Sequence, residues 1–261
     1  IPPHALQKKI SDYLSEEYLS DSIRKSICCI ANQILAFASN KYSVCSFLLK
    51  RCAAKSVKKP IETFSKAEQS QLLTCIYNRP DKRKIALLLC LYTGMRLGEL
   101  CALKWTDFDF QDMTVIINRT VQRITAKGYM TKTILMETGP KSKCYNRTIP
   151  LVDEILKLLE MIKGKQPYVF GGDRPLEPRT MQYQFKRILK EAGVDTRNFH
   201  ILRHTFATNC VESGMDVKAL SVILGHSDVK ITLNRYVHPT LEMKRFHMNS
   251  LSSVYGQILG Q

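Results

Sequence analysis

The segment that most constrains the fold is 81-DKRKIALLLCLYTG-94, whose middle is nearly all apolar. A helix that is apolar around its whole circumference has to be covered on every side, so this segment predicts a central core helix. Gly94 suits the left-handed residue that commonly ends such a helix. The apolar run is well short of the roughly 20 residues that span a bilayer, which excludes a membrane helix at this place.

The remaining chain predicts a mostly α fold with a small antiparallel β-sheet. Apolar residues at helical spacing predict helices at 20–42, 65–78, 151–162, 178–193, 200–209, 215–225 and 228–237. Alternating residues predict strands at 112–124, 130–137 and 145–151. Ser65 and Glu68 have the spacing of a capping box, which places the start of one helix.

A basic run, 50-KRCAAKSVKKP-60, divides the chain. Its charge and its closing proline are typical of a linker. We therefore predict two domains, a helical one with its linker in residues 1–60 and a larger one in residues 61–261.

The 261 residues carry a net charge of +16, which indicates a polyanionic partner, nucleic acid first and an anionic membrane second. The membrane alternative lacks a long basic amphipathic face with aromatic anchors. The nine cysteines include no C-x-x-C pair, which argues against a disulfide framework and a zinc site. Small buried cysteines in a reducing cytoplasm are the expected arrangement.

Five stretches carry side chains suited to binding a phosphate. They are 93-TGMRLGELCALKW-105, 139-GPKSKCYNRTIPL-151, 200-HILRHTFATN-209, 224-LGHSD-228 and 232-TLNRYVHP-239. His200 and Arg203 share a helical face, as do Arg96 and Glu99. Four of these stretches have an ordinary alternative when taken alone: a surface ion pair, a solvated basic loop, a packed His204 and a buried tyrosine, respectively, for the stretches at 93–105, 139–151, 200–209 and 232–239.

In this order, Arg…Lys…His-x-x-Arg…Gly-His…Tyr resembles the tyrosine recombinases, the phage integrase family, over about residues 62–240. The sequences of these motifs look most like those of integrases from conjugative transposons and Gram-positive phages. The resemblance implies a catalytic domain preceded by a helical core-binding domain. Residues 1–60 match only the later part of such a DNA clamp, so we expect a native protein that is longer at its N-terminus, with a possible arm-type DNA-binding module.

The resemblance also implies site-specific cleavage and rejoining of DNA through a covalent 3′-phosphotyrosyl intermediate. The expected catalytic residues are Arg96, Lys141, His200, Arg203, His226 and Tyr236, with Glu99 in support. In this scheme the two arginines and His226 bind the phosphate, and Tyr236 attacks it. His200 is the expected proton acceptor, and Lys141, preferred over Lys143 by its register in a hairpin turn between two strands, is the general acid. Glu99 is expected to support Arg96 or a histidine.

No metal and no other cofactor is expected, since guanidinium groups can neutralise the phosphate charge. The expected DNA-contacting residues are Arg24, Lys25, Lys55, Lys58, Lys59 and Lys143. The expected partners are double-stranded DNA, further copies of the chain in a tetramer and a possible directionality factor, in the bacterial cytoplasm at the nucleoid. The tail, residues 241–260, is expected to dock on a neighbouring subunit or to fold back in cis.

Two alternative functions use similar residues. A type IB topoisomerase relaxes DNA without a partner site, and the compact domain with its C-terminal tail favours a recombinase over it. A decayed integrase that only binds DNA needs phosphate contacts but no nucleophile, so the intact set with Tyr236 argues against it.

Overall fold

A computed structural model describes residues 3–15, 20–42, 61–126, 133–139, 146–237, 245 and 248–249. The chain divides into two compact units, residues 1–60 and 61–261. The predicted fold class, mostly α with a small antiparallel β component, is confirmed. None of the described helices is both long enough and apolar enough to cross a membrane.

The first unit contains helix α1 (Pro3–Ser15) and helix α2 (Asp21–Tyr42). The Ser20 hydroxyl accepts the backbone N–H of Ile23 at 3.4 Å and so contributes to the start of α2. Lys25 is exposed on α2, whereas Arg24 is half-buried. The expected DNA-contacting lysines at 55, 58 and 59 lie outside the described residues.

The second unit is built mainly from helices. They are α3 (Lys66–Asn78), α4 (Lys82–Thr93), α5 (Leu97–Ala102), α6 (Asp153–Met161), α7 (Pro178–Glu191), α8 (Ile201–Glu212), α9 (Val217–Leu224) and α10 (Val229–Tyr236), with a 3-10 turn at Trp105–Asp107. The predicted capping box opens α3: Ser65 N–H donates to the Glu68 carboxylate at 2.8 Å, and Glu68 N–H donates to the Ser65 hydroxyl at 3.2 Å.

Helix α4 is the predicted core helix. The run from Lys84 to Cys90 is buried, and α4 packs against α3, α6, α7 and α8. The Asp81 carboxylate accepts the N–H groups of Arg83 and Lys84 and caps its start. Gly94 closes it in the left-handed conformation, with φ of 62°. Burial of this apolar helix on all sides supplies much of the hydrophobic stabilisation of the unit.

The strands form two small antiparallel sheets. They are β1 (Phe108–Asp109), β2 (Thr114–Ile117), β3 (Thr120–Thr125), β4 (Thr133–Thr138) and β5 (Arg147–Pro150). One sheet has the order β1-β2-β5, with Val115 opposite Ile149, and the other pairs β3 with β4. The described sheet region therefore begins at Phe108, before the predicted start at residue 112.

The predicted single strand at 112–124 is wrong, because the chain changes sheets between β2 and β3. Arg119, in the break, donates to the Asp107 carboxylate at 2.8 Å. Strand β3 then packs on α5, where a Cβ at Gly98 would lie 2.4 Å from the Thr120 hydroxyl oxygen. Both contacts join residues that are distant in sequence, and they hold β3 against α5 instead of in the first sheet.

The predicted hairpin around Lys141 is also wrong in its connectivity. Strands β4 and β5 flank this segment, but β4 pairs with β3 and β5 pairs with β2. The segment at 139–146 therefore connects two sheets. Residues 140–145, which include Lys141 and Lys143, lie outside the described part of the chain, as do nearly all residues of the tail at 241–260.

Free cysteines in the described residues are mostly buried, as the sequence predicts. Cys28, Cys90, Cys101 and Cys210 are buried, Cys75 is half-buried and Cys29 is exposed.

Candidate active site

Helix α8 carries Arg203 into the interior, where the residue is only 2% exposed. Its guanidinium donates to the carbonyl oxygens of Gly94 at 2.8 Å and Leu224 at 2.7 Å. A Cβ at Gly94 would lie 2.3 Å from the Phe206 ring, so only glycine allows the end of α4 to approach α8 this closely. The end of α4 and the end of α9 thus fix the direction of this arginine.

Arg96 lies just before α5, one turn from the buried Glu99. The Glu99 carboxylate accepts both the backbone N–H of Arg96 and its guanidinium, each at 2.8 Å. A second guanidinium nitrogen of Arg96 donates to the Gly225 carbonyl at 3.3 Å. The side chain of Arg96 is 34% exposed, so the ordered guanidinium also reaches the surface.

A third arginine, Arg147 in β5, lies behind these two and is 5% exposed. It donates to both carboxylate oxygens of Glu99, at 3.1 and 2.7 Å, which is the bidentate geometry of a strong ion pair. Its Nε donates to the carbonyl of Ile223 at 2.6 Å. Glu99 is therefore shared between a buried arginine and a surface-reaching one.

His226 follows the left-handed Gly225, which ends α9. Its backbone N–H donates to the Ser221 carbonyl at 3.1 Å, and its Nδ1 lies 2.8 Å from the hydroxyl of the buried Thr232. Both contacts fix the imidazole at the turn between α9 and α10. His226 therefore directly follows Gly225, whose carbonyl accepts a hydrogen bond from Arg96.

Tyr236 is the last residue of α10 and is 7% exposed. Its phenol oxygen lies 2.8 Å from Nδ1 of His204. His200 meets the His204 ring edge-on, with 4.5 Å between ring centroids. The phenol therefore contacts His204 directly, the histidine that the sequence also allows as a packed residue. His200 contacts the His204 ring.

Burial and the nearby arginines favour the neutral forms of His204 and His226. Burial, and then the charge of Arg203 among others, lowers the pKa of His226 to about 4. Burial, and then His200, likewise lowers the pKa of His204 to about 4. Burial and the neighbouring Arg96 lower the pKa of Arg203 to about 9, so this guanidinium remains protonated at neutral pH.

Two further groups respond to the same surroundings. Burial raises the pKa of Tyr236, and the positive charge of Arg203 opposes that rise. Burial alone would raise the pKa of Glu99, but hydrogen bonds and charge from Arg147 outweigh it and hold this pKa below its usual range. Glu99 is therefore a carboxylate at neutral pH, and the phenol needs a proton acceptor.

Residues 62–243 match the phage integrase family. The chain belongs to the phage integrase family. The resemblance to tyrosine recombinases that the sequence indicates is confirmed, including its similarity to integrases of conjugative transposons.

Individual relatives of this phage integrase agree. A tyrosine recombinase XerC-like protein of Caldanaerobacter subterraneus subsp. tengcongensis is 29% identical over 281 residues, which cover 95% of this chain and 71% of the relative. The transposase from transposon Tn916 of Enterococcus faecalis is 29% identical over 186 residues, 64% of this chain. The match spans 44% of that transposase, less than half of its length.

Solved structures show the same fold. The Tn1549 transposon integrase, in a complex with transposon right end DNA, superposes with a TM-score of 0.76 at 24% identity. The superposition covers 94% of this chain and 85% of that integrase. A lambda integrase dimer bound to a core site gives a TM-score of 0.61 at 17% identity and covers 88% of this chain and 64% of that one.

The family and its relatives make this chain a site-specific DNA recombinase, an enzyme that breaks and rejoins DNA strands. The same matches do not favour the topoisomerase or the decayed regulator. Within the described residues, no three His, Cys, Asp or Glu side chains converge in a group that could hold a metal ion.

From the sequence alone, Arg147 has no assigned role and His204 is interpreted as a packed histidine. A usable signal for Arg147 was the strand alternation, because residues 147 and 149 are the buried positions of β5. A usable signal for His204 was its spacing of four residues from His200, which puts both rings on one face of a helix. Lys141, the expected general acid, lies outside the described residues, so its place in this integrase stays a prediction.

Proposed function

We propose that this integrase cleaves DNA by attack of the Tyr236 phenol on a backbone phosphate, forming a 3′-phosphotyrosyl bond in the integration or excision of a mobile element. The observation that carries the proposal is the 2.8 Å contact between the phenol oxygen and His204 Nδ1, beside the buried, carbonyl-fixed Arg203. A nucleophile needs a base within hydrogen-bond reach and a fixed cation next to the developing charge.

Arg96 and Arg203 are proposed to bind the non-bridging oxygens of the phosphate. Arg203 directs two of its five N–H groups to carbonyl oxygens and also hydrogen-bonds the Tyr236 phenol, so its guanidinium lies where the phosphate under attack would bind. Because both guanidiniums are held in place before DNA binds, little reorganisation is needed when charge develops. Each such donor contributes about 3 kcal/mol by analogy with donors in oxyanion sites.

His204 is proposed to take the phenol proton, a role that the sequence resemblance gives to His200. In the tautomer that carries its proton on Nε2, Nδ1 of His204 is free to accept from the phenol. The low pKa keeps this ring neutral at pH 7, so it can accept a proton. His200, edge-on to the ring, restricts its rotation, and the arginines nearby stabilise the phenolate as it forms.

His226 is proposed as a further donor to the phosphate. If the Thr232 hydroxyl donates to Nδ1, then Nε2 carries the proton and can donate to an oxygen. Lys141 is proposed to protonate the leaving 5′-oxygen, with Lys143 as the alternative on the same segment. Tyrosine oxygen replaces the 5′-oxygen on phosphorus, so bond energy is retained, and the reverse attack by a 5′-hydroxyl rejoins the strand.

The partners follow from the same chemistry. DNA is the substrate, and we propose a tetramer on two DNA sites with the tail bridging subunits, assisted by a directionality factor, in the bacterial cytoplasm. Residues 1–60 are proposed as part of the DNA clamp. The proposed phosphate contacts outside the active site are Arg24, Lys25, Lys55, Lys58, Lys59 and Lys143.

Covalent trapping tests the proposal. A nicked suicide duplex carrying the end of the element in which the coding sequence lies is incubated with the protein in EDTA, and products are separated on a denaturing gel. We expect a shifted protein–DNA band that is absent in Tyr236→Phe. Tyr92→Phe is the matched control, because it loses a hydroxyl that lies near Glu154 on α6, and its band should persist. A band that survives in Tyr236→Phe would show that another residue is the nucleophile.

A further inference from the structure

We propose that Arg147 is a positioning residue for strand cleavage: it sets the orientation of the phosphate-binding arginines through Glu99 and through the end of α9. The inference rests on the proposed function, because it concerns the same site. Arg147 touches neither the nucleophile nor, in this proposal, the DNA, and its effect passes through the groups it holds.

The first route runs through the Glu99 carboxylate. Arg147 occupies both oxygens of Glu99, and the oxygen at 3.1 Å from Arg147 also accepts the Arg96 guanidinium at 2.8 Å. A bidentate contact fixes the plane of the carboxylate as well as its position. The direction of the Arg96 guanidinium, which donates to that plane, therefore depends on Arg147.

The second route runs through the last turn of α9. Three successive carbonyls there each accept from a different arginine: Ile223 from Arg147, Leu224 from Arg203, and Gly225 from Arg96. The C-terminal end of a helix carries partial negative charge on such carbonyls, which suits guanidinium partners. One short piece of backbone thus holds all three guanidiniums in register.

The end of α9 has little freedom to move relative to Arg147. Gly225 has φ of 64°, and a Cβ there would lie 3.0 Å from a guanidinium nitrogen of Arg147. His226 is the next residue, so its backbone is set by the same contact. Loss of the Arg147 guanidinium would leave the Ile223 carbonyl and Glu99 without these hydrogen bonds and would free the turn that orients Arg96, Arg203 and His226.

A buried arginine could instead serve stability alone, and the two roles predict different results. Replacing a residue that only stabilises the fold lowers the unfolding temperature but leaves the cleavage rate of the folded protein unchanged. Replacing a positioning residue lowers the cleavage rate of the folded protein, and this effect becomes smaller once a residue that it positions has been removed.

The experiment is a double-mutant cycle on the full chain, with Arg147→Met, Arg96→Ala and the double variant. The rate of covalent complex formation is measured in single turnover with the nicked suicide duplex at saturating protein, below the unfolding temperature of every variant. The Kd for the same duplex is measured by fluorescence anisotropy. Arg147→Lys tests whether charge without the bidentate fork is enough.

The matched control is Arg119→Met. Arg119 is also an arginine paired with a largely buried carboxylate, at 2.8 Å from Asp107, but it donates to no residue of the proposed site. Its loss should lower the unfolding temperature and leave the cleavage rate within about twofold of the wild type.

We expect Arg147→Met to lower the cleavage rate by about 10- to 100-fold, as loss of a group that orients a ligand-binding side chain does in metal sites. The Kd should change much less, and Arg147→Lys should recover little of the rate. In the Arg96→Ala background, the second substitution should lower the rate by clearly less than it does in the wild type, because the route through Glu99 to Arg96 is gone and only the route through the end of α9 remains. If Arg147→Met does not fold, Arg147→Lys takes its place in the cycle with the same expectation.

Two results overturn the inference alone: a variant that cleaves at the wild-type rate, or effects of Arg147 and Arg96 that multiply in the double variant. A wild-type chain that forms no covalent complex overturns the proposed function, and the inference with it. These failures are distinguished by the wild-type lane of the same gel.

Discussion

Substitution of Glu99 by glutamine is the sharpest perturbation of the site, because it changes charge with almost no change in shape. The side chain of Glu99 is 5% exposed, and the side chain of its partner Arg147 is 2% exposed. Glutamine keeps one carbonyl oxygen but turns the other acceptor into an amide that donates. That amide would face a guanidinium, and the two arginines would lose their shared counter-charge.

The expected loss of stability follows from the burial of this pair. Removal of one partner of a buried ion pair costs about 3–5 kcal/mol, because an uncompensated charge is left behind. The retained amide oxygen and the partial exposure of Arg96 place Glu99→Gln at the low end, about 3 kcal/mol. For a unit of this size we expect the unfolding temperature to fall by about 6–12 °C.

Urea denaturation followed by circular dichroism at pH 7 measures this loss. The matched control is Asp107→Asn, a buried carboxylate whose arginine partner is 20% exposed and so remains partly solvated. It should lose about 1–2 kcal/mol. A loss below about 1 kcal/mol for Glu99→Gln, or one no larger than that of the control, would refute the argument from the buried pair.

The pH dependence gives a second signature with a definite sign. The pKa of Glu99 is lowered in the folded protein, so its contribution is fully present above the unfolded pKa of about 4.3. That contribution is lost as the pH falls through the lower folded pKa. The stability difference between wild type and Glu99→Gln should therefore shrink below about pH 4.

Three further predictions concern single residues of the site. Gly94→Ala should lose about 3 kcal/mol in urea denaturation, from left-handed strain and the clash with Phe206, whereas Gly193→Ala, with φ of 71° and no atom within 4 Å, should show the strain alone, about 1–2 kcal/mol. Because burial lowers the pKa values of His204 and His226 to about 4, stability should fall as pH drops from about 6.5 towards 4, and a flat profile in thermal unfolding would contradict this. His204→Phe keeps a ring but loses the proton acceptor, so its single-turnover cleavage rate should fall by about 100-fold or more.

The elements with local signals could be predicted from sequence. The capping box at Ser65 and Glu68, the apolar run of α4 and the glycine at its end each act within a few residues, so a short window contains the cause. The division of residues 114–125 into two strands could not be predicted in this way. Its causes are the Arg119 contact with Asp107 and the approach of β3 to Gly98, which join distant parts of the chain.

The site shows the same division between local and long-range causes. Arg96 and Arg203 could be named from the family motifs, and the pairing of Arg96 with Glu99 follows from their spacing. Their other partners described above are backbone carbonyls, which leave no trace in a sequence. Arg147 occupies a buried position of a strand that otherwise reads as an ordinary alternation. The contact of His204 with Tyr236 depends on how α10 returns to α8, which helical spacing alone does not specify.

The charge balance of the site explains why backbone carbonyls serve where carboxylates could. Three guanidiniums are held by one carboxylate and by the carbonyls of Ile223, Leu224 and Gly225. A carbonyl supplies only a partial charge, so it orients a guanidinium without neutralising it. A second carboxylate would repel a DNA phosphate and compete with it for the same N–H groups. The site is therefore fixed in geometry yet remains strongly positive, which is the condition for binding a phosphodiester and stabilising the charge that builds up as the tyrosine attacks.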